Sequence, residues 1–226
     1  MWTPGCIARR MMAATLPYAT QFFITPMAAV AGAVAEELLA AITAAADLSR
    51  AYVNDGGDIA LHLSAAETFN VGIVERPDRA SLFGATTLRF EDPVRGIATS
   101  GWRGRSFSLG IADAVTVLAD RAAAADAAAT IIANAVDLPG HPAIVRIPAS
   151  ELAPDSDLGN RLVTQAVGNL SAAEIHQALS AGTTTAERIF RIGLIRSAAL
   201  HLAGETRVVG VVNQLHLEAE RSLVHA

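Results

Sequence analysis

The sequence predicts an α+β layer fold, a mixed or antiparallel sheet flanked by long alanine-rich helices, and three observations carry that prediction. Two alanine-rich runs, residues 25–42 and about 121–136, have helical composition and length. Asp55-Gly56-Gly57-Asp58 separates two β-prone runs, which is a hairpin signal. Further short strands follow with few helices between them, a pattern unlike alternating βαβ units. At 226 residues, 52% hydrophobic and 17% charged, the chain is long and apolar enough to bury a substantial core.

The elements follow in order. Thr25 before Pro26 reads as an N-cap with proline at the first helical position. Ala28, Gly32, Ala35 and Leu39 then recur at helical spacing, a stripe of mostly small residues that admits a close neighbouring backbone or a flat ligand. Beyond the hairpin, Ile59, Leu61 and Leu63 alternate along its second strand, and residues 69–74, 86–90 and 114–118 are further strands. After Pro139-Gly140-His141-Pro142 the texture changes. A short strand over residues 143–147, a Pro/Asp-rich turn near Pro154, helices over 161–167 and 172–181, continued helical pattern over 184–192 and a closing strand over 207–212 are expected. The whole is expected to form a single domain over residues 1–226, with the motifs in 1–138 and an α/β elaboration in 139–226.

Composition excludes several function classes. A net charge of −5 gives no global basic field, so nucleic acid is not an expected partner; Arg103 and Arg105 are the one short basic pair. The single cysteine, Cys6, excludes an internal disulfide framework and a thiolate metal cluster. His62, His141, His176, His201, His216 and His225 are scattered without zinc-ligand spacing. Neither a G-x-S-x-G elbow nor a Walker loop is present. No apolar run precedes Cys6, and Pro26 and Glu36-Glu37 interrupt the apolar stretch of residues 22–48, so neither a signal peptide nor a membrane span is expected and the cytoplasm is the expected compartment. A homodimer is compatible with this reading.

The stretch from Gly96 to Val117, running into Ala125-Asp-Ala-Ala-Ala-Thr130, places a glycine- and hydroxyl-rich turn before a strand and an Asp/Thr pair after it. Thr99, Ser100 and Gly101 are either an ordinary loop or, beside Gly104, Arg105 and Ser106, a set of backbone donors with a guanidinium suited to a pyrophosphate. Asp126 and Thr130 stand at i and i+4 on one helix face, hard oxygen ligands for Mg²⁺; a solvated helix face is the competing reading. Gly56, Gly57 and Asp58 either simply turn the hairpin or let the backbone approach a ligand while Asp58 accepts from a ribose or a ring N–H. Asp113 either caps a turn or joins the metal environment as a base.

Thr25-Pro-Met-Ala-Ala-Val-Ala-Gly-Ala-Val-Ala-Glu, Val53-Asn-Asp-Gly-Gly-Asp-Ile, Ala98-Thr-Ser-Gly, and Ala112-Asp-Ala-Val-Thr-Val with Ala125-Asp-Ala-Ala-Ala-Thr together resemble the UPF0280 family, itself similar to the ApbE superfamily of flavin transferases. The resemblance implies an ApbE-like α+β fold binding FAD in a cleft, with Mg²⁺ on Asp126 and Thr130. It places Gly56, Gly57 and Asp58 near the flavin and Thr99, Ser100 and Gly101 near the phosphates. It further implies attack by an acceptor threonine on the FAD pyrophosphate, transferring FMN and releasing AMP. One departure stands out: ApbE transferases carry an H-x-x-D-P-x-T-G segment where this chain has Ser106-Phe-Ser-Leu-Gly-Ile-Ala-Asp113, without a histidine. Three function classes follow. They are Mg²⁺-dependent phosphoester or pyrophosphate chemistry with Asp113 and Arg105 as catalytic groups, a non-catalytic flavin or nucleotide carrier, and a site for an unrelated small acid.

Overall fold

A computed structural model describes residues 5–76, 79–210 and 216–217; residues 1–4, Val211, Val212 and His225, on which parts of the sequence reading fall, lie outside the described residues. Its centre is a six-stranded antiparallel sheet whose neighbours run β1 (Arg50–Asp55), β2 (Asp58–Leu63), β5 (Gly96–Ser100), β6 (Ala114–Ala119), β9 (Ser197–Leu202) and β10 (Glu205–Gly210). A second sheet pairs β3 (Thr68–Arg76) with β4 (Arg79–Arg89), and β11 (His216–Leu217) joins the other edge of β4. A small third sheet pairs β7 (Ile144–Pro148) with β8 (Leu162–Val167). The helices are α1 (Cys6–Thr15), α2 (Val30–Ala45) after a 3₁₀ turn at Pro26–Ala29, α3 (Ala122–Ala135), α4 (Ala149–Leu152) and α5 (Ala172–Arg191). The α+β class read from the sequence is the class observed.

Period-two alternation divides the central sheet between two cores. Ala98, Val115, Val117, Leu200 and Leu202 belong to the main cluster with Ala128 and Ile132 of α3 and Leu179 and Ile189 of α5. Ile59, Leu61, Ile97 and Leu118 alternate with them and meet Phe69, Val71 and Leu88 of the second sheet. The cores therefore lie on opposite faces of the central sheet, and the strands between them are buried on both sides.

Helices α2 and α3 cap each other. Asp126 Oδ2 of α3 accepts from the Gly32 N–H in the first turn of α2 (3.1 Å), and Glu36 Oε1 of α2 accepts from the Ala123 N–H in the first turn of α3 (2.8 Å). Each carboxylate meets unsatisfied donors and the positive end of the other helix dipole. The contact is close because Gly32 has no side chain: a Cβ there would stand 2.5 Å from the Ala122 carbonyl carbon and oxygen. Arg10 of α1 pairs with Glu36 (2.9 Å) and Glu37 (3.2 Å), so the two acids in this apolar helix are both engaged. The helical run Pro26–Ala45 has the length and mean hydropathy, 1.6, of a membrane span. Its Ala35 and Leu39 pack against Ala60 of β2 and Ala122 of α3.

Several expectations are corrected. Residues 161–167 were expected to be helical; Leu162–Val167 is instead a strand paired antiparallel with β7, since a six-residue run with β-branched Val163 and Thr164 takes its conformation from its partner. Thr25 occupies the N-cap position, yet its hydroxyl donates to the Asp157 carboxylate and makes no cap hydrogen bond. Thr99 and Ser100 lie on strand β5, not on a turn. Residues 172–191 form one helix, opened by a capping box in which Ser171 and Glu174 bond reciprocally. Helix α1 and strand β9 had no counterpart in the sequence reading.

Candidate functional site

The hairpin between β1 and β2 turns through two glycines with positive φ, Gly56 at 68° and Gly57 at 114°, a conformation a two-residue hairpin loop demands. Asn54 Oδ1 accepts from the Gly57 N–H (2.8 Å) and fixes the turn. Over it lies Arg105, close enough that a Cβ on Gly56 would collide with the guanidinium. Gly56 is thus required by the turn, while the exposed arginine above it could swing aside.

This turn, the end of β5, the loop 101–107, the start of α2, one side of α3 and the loop 153–158 enclose a cleft of about 730 Å³. Asp58, Thr99, Ser100, Gly101, Arg105 and Ser106 line it together with Gly56, Asp126 and Thr130. Nine of the sequence-derived site residues therefore converge from three separate segments of chain. Helix α3 presents Asp126 and Thr130 to the same cleft, as their i, i+4 spacing requires. The loop 153–158 is clasped onto the segment before α2 by Thr25 with Asp157 and by the Arg161 guanidinium 3.3 Å from the Phe23 ring centroid.

Electrostatics single out two of these carboxyls. Burial pushes Asp58 up to about 7, opposed by a Thr99 backbone hydrogen bond and Arg105 and reinforced by the Asp55 charge. Burial also pushes Asp126 up to about 8, reinforced by the charges of Asp58 and Asp55 and opposed by the Gly32 and Ala31 N–H groups. Each stays partly open to the cleft while protein surrounds its other sides. Two neighbouring carboxyls that resist ionisation form a place where a cation lowers the energy of the charged state. Arg105 faces the same space, exposed, and makes no hydrogen bond or ion pair among the described residues.

Asp113 is elsewhere. It is 6% exposed and outside the cleft lining; Oδ1 accepts from Arg103 (2.6 Å) and the Trp102 indole N–H (3.2 Å), and Oδ2 accepts from the Ala203 N–H (2.7 Å). Both oxygens of this residue, expected as a catalytic group, hold the loop after β5 against the β9–β10 turn. Arg103, spent on this bond and stacked 4.2 Å from the Trp102 ring centroid, adds no free charge beside Arg105. Gly57 lines a different, smaller cavity and not the cleft. Gly101 lines the cleft, but packing also demands a glycine there, since its Cβ would meet the Asp113 carbonyl oxygen at 2.5 Å.

The sequence reading missed Asp55, Asn134 and the loop 153–158. Asp55 had a signal, its place beside the two glycines. The loop had only its Pro/Asp composition, which marks a turn and not what the turn faces. Among the described residues no three His, Cys, Asp or Glu side chains converge as a metal cluster.

Comparison with known proteins gives the lineage. A family model described as AbpE bacteria matches residues 3–208. A UPF0280 protein of Methanopyrus kandleri is 40% identical over 128 residues, 57% of this chain and 48% of that protein. UPF0280 proteins of Methanothrix thermoacetophila and Methanocaldococcus jannaschii are 41% and 38% identical over 121 and 117 residues, covering 51% and 50% of this chain and 47% and 45% of theirs. The chain spans about half the length of the curated relatives it matches. The match along nearly the whole chain establishes that it belongs to the family described as AbpE bacteria, with the UPF0280 proteins as its relatives.

Proposed function

We propose that the cleft binds a nucleotide diphosphate, FAD or a related flavin nucleotide, together with Mg²⁺. The observation that carries this reading is the opposition of two kinds of group in one cleft: Asp58 and Asp126, which resist ionisation without a cation, and Arg105, an exposed guanidinium with no hydrogen bond or ion pair among the described residues. The donor set fits a hard divalent ion, which the Asp126 carboxylate and the Thr130 hydroxyl would hold. When bound, Mg²⁺ supplies positive charge against the pyrophosphate oxygens. Arg105 takes two of those oxygens in its planar fork. Thr99, Ser100, Gly101 and Ser106 bring polar groups to the phosphates, and Asp58 accepts from a ribose hydroxyl or a ring N–H. The resemblance to the ApbE flavin transferases, not the geometry, selects flavin among nucleotides. The cytoplasm is the compartment proposed with this ligand.

A second reading, a carrier that binds the nucleotide without transferring FMN, is favoured by Asp113. Its two oxygens are occupied by three donors away from the cleft, and no other ionisable side chain stands between Arg105 and Asp113. Mass spectrometry of the ligand released from freshly purified protein tests the shared part of both readings, with thermal-shift titration against FAD, FMN, ADP and ATP, with and without Mg²⁺. Stabilisation by at least one of them that grows with Mg²⁺ is expected. No stabilisation by any at millimolar concentration overturns the nucleotide reading.

A further inference from the structure

A second cavity, of about 340 Å³, lies between the two larger sheets. That volume is within the roughly 300–1,000 Å³ of small-molecule sites. The central sheet contributes Ile59, Ile97, Thr99, Thr116 and Leu118, and the second sheet contributes Val71, Gly72 and Thr86. Facing sheets pack about 10 Å apart with their side chains filling the gap. Here three of the contributors are threonines, shorter than the leucines and isoleucines beside them, and a slot remains between the sheets. Its mouth is bordered by Asn54, Gly56 and Gly57 of the hairpin turn.

The polar groups of the slot are few and specific. Thr86 is 1% exposed and its hydroxyl has no hydrogen-bond partner among the described residues. Thr99 Oγ1 and Thr116 Oγ1 bond each other at 2.9 Å, which leaves one O–H and further lone pairs of that pair unused. Among the described residues no charged side chain lines the slot, whereas the larger cleft has acids and an arginine. An ion would enter without a counter-charge, and a purely aliphatic molecule would leave the Thr86 hydroxyl unsatisfied. Aliphatic walls on two opposing sheets with a buried hydroxyl among them match a flat ring that is apolar on its faces and polar on its rim.

We infer that this slot is a second ligand site and that it takes an uncharged heteroaromatic ring, hydrogen-bonded at its rim to Thr86. The site needs neither the nucleotide nor Mg²⁺ and stands independently of the function proposed for the larger cleft, although Gly56 and Thr99 border both cavities.

Calorimetric titration of the full chain with benzimidazole, held neutral by mildly alkaline buffer, tests it, with benzimidazole-5-carboxylate as the charged probe. Saturable binding of benzimidazole and weaker binding of the carboxylate are expected. Thr86→Val, which removes the hydroxyl at constant shape, is expected to weaken benzimidazole about five-fold, the worth of one ordinary hydrogen bond. The same variant melts no lower than the wild type, because the hydroxyl it removes has no partner in the free protein. Val71→Phe fills the slot and abolishes binding, while Asp126→Asn, in the larger cleft, leaves it unchanged. Absence of saturable benzimidazole binding, equal affinity for the carboxylate, or affinity undiminished in Thr86→Val and Val71→Phe alike overturns the assignment.

Discussion

The carboxylate of Asp126 accepts from the Gly32 N–H and also faces the cleft, so removing it and neutralising it are different experiments. Asp126→Ala loses the helix cap with the charge, and a lost cap costs about 1 kcal/mol. Asp126→Asn keeps an acceptor oxygen for Gly32 and loses only the charge. Calorimetry of Mg²⁺-dependent nucleotide binding is therefore expected to show the dependence abolished in both variants, with a lowered melting temperature in Asp126→Ala alone. Unchanged Mg²⁺ dependence in both would remove Asp126 from the proposed cation site. A pH effect belongs to the same residues. Asp58 and Asp126 have folded-state pKa values raised to about 7 and about 8. Between the ordinary carboxyl range near 4 and those values the native state holds more protons than the unfolded one, so the stability of the metal-free protein falls as pH rises through that window. Urea midpoints taken from about pH 5 to about pH 9 are expected to decline, and to decline less in Asp126→Asn, which has one such carboxyl fewer. A midpoint that rises over that range in both proteins contradicts the burial of these acids.

At the scale of elements, the crossing of α2 on α3 organises the site, because it aims Asp126 into the cleft and closes the start of α2 over it. The crossing depends on Gly32, whose missing Cβ leaves room for the Ala122 carbonyl. Gly32→Ala gains helix propensity but forces backbone apart. Overpacking of this kind costs about 1–3 kcal/mol, against a propensity gain of about 0.5–1 kcal/mol. Net destabilisation by urea unfolding is expected, together with weakened nucleotide binding, since both reciprocal caps depend on the same approach. An equal or raised midpoint would show that the two helices are not held at this distance. The glycine sat in the sequence within a stripe of small residues, and the packing of that stripe on β2 and α3 is what the structure contains. The acids at 36 and 37, which in the sequence only argued against a membrane span, act as a cap and ion-pair partners.

For the whole molecule, the cleft is assembled from segments far apart in the chain, and the loop 153–158 completes it from outside the motif-bearing part. No FMN transfer to the threonine of an ApbE acceptor domain is expected. Phosphoryl transfer needs the acceptor hydroxyl positioned and its proton accepted beside the metal. Here residues 107–112 carry no ionisable side chain and Asp113 is bonded into the scaffold. Incubation with FAD, Mg²⁺ and the acceptor domain, followed by in-gel flavin fluorescence, checks this. A labelled acceptor band lost in a folded Asp113→Asn variant would restore Asp113 as the base.

What the sequence determined by itself was local. The hairpin at Gly56-Gly57 needs positive φ, the i, i+4 pair on α3 needs only helical geometry, and the alternation of Ile59 and Leu61 needs only a strand; each follows from a few adjacent residues. Tertiary structure decided everything that joins distant residues. Residues 162–167 became a strand because β7 lay beside them, where their own preferences permitted either state. Asp113 became structural because Arg103, Trp102 and the Ala203 N–H, the last 90 positions away, closed on it. Asp58 and Asp126 acquired their raised pKa values from burial, and Asp126 also from the Asp58 charge, 68 positions away in the chain. The physical reason is common to all three: conformation within a turn is set by local sterics, whereas burial and charge coupling depend on distance in space, which only the folded chain fixes.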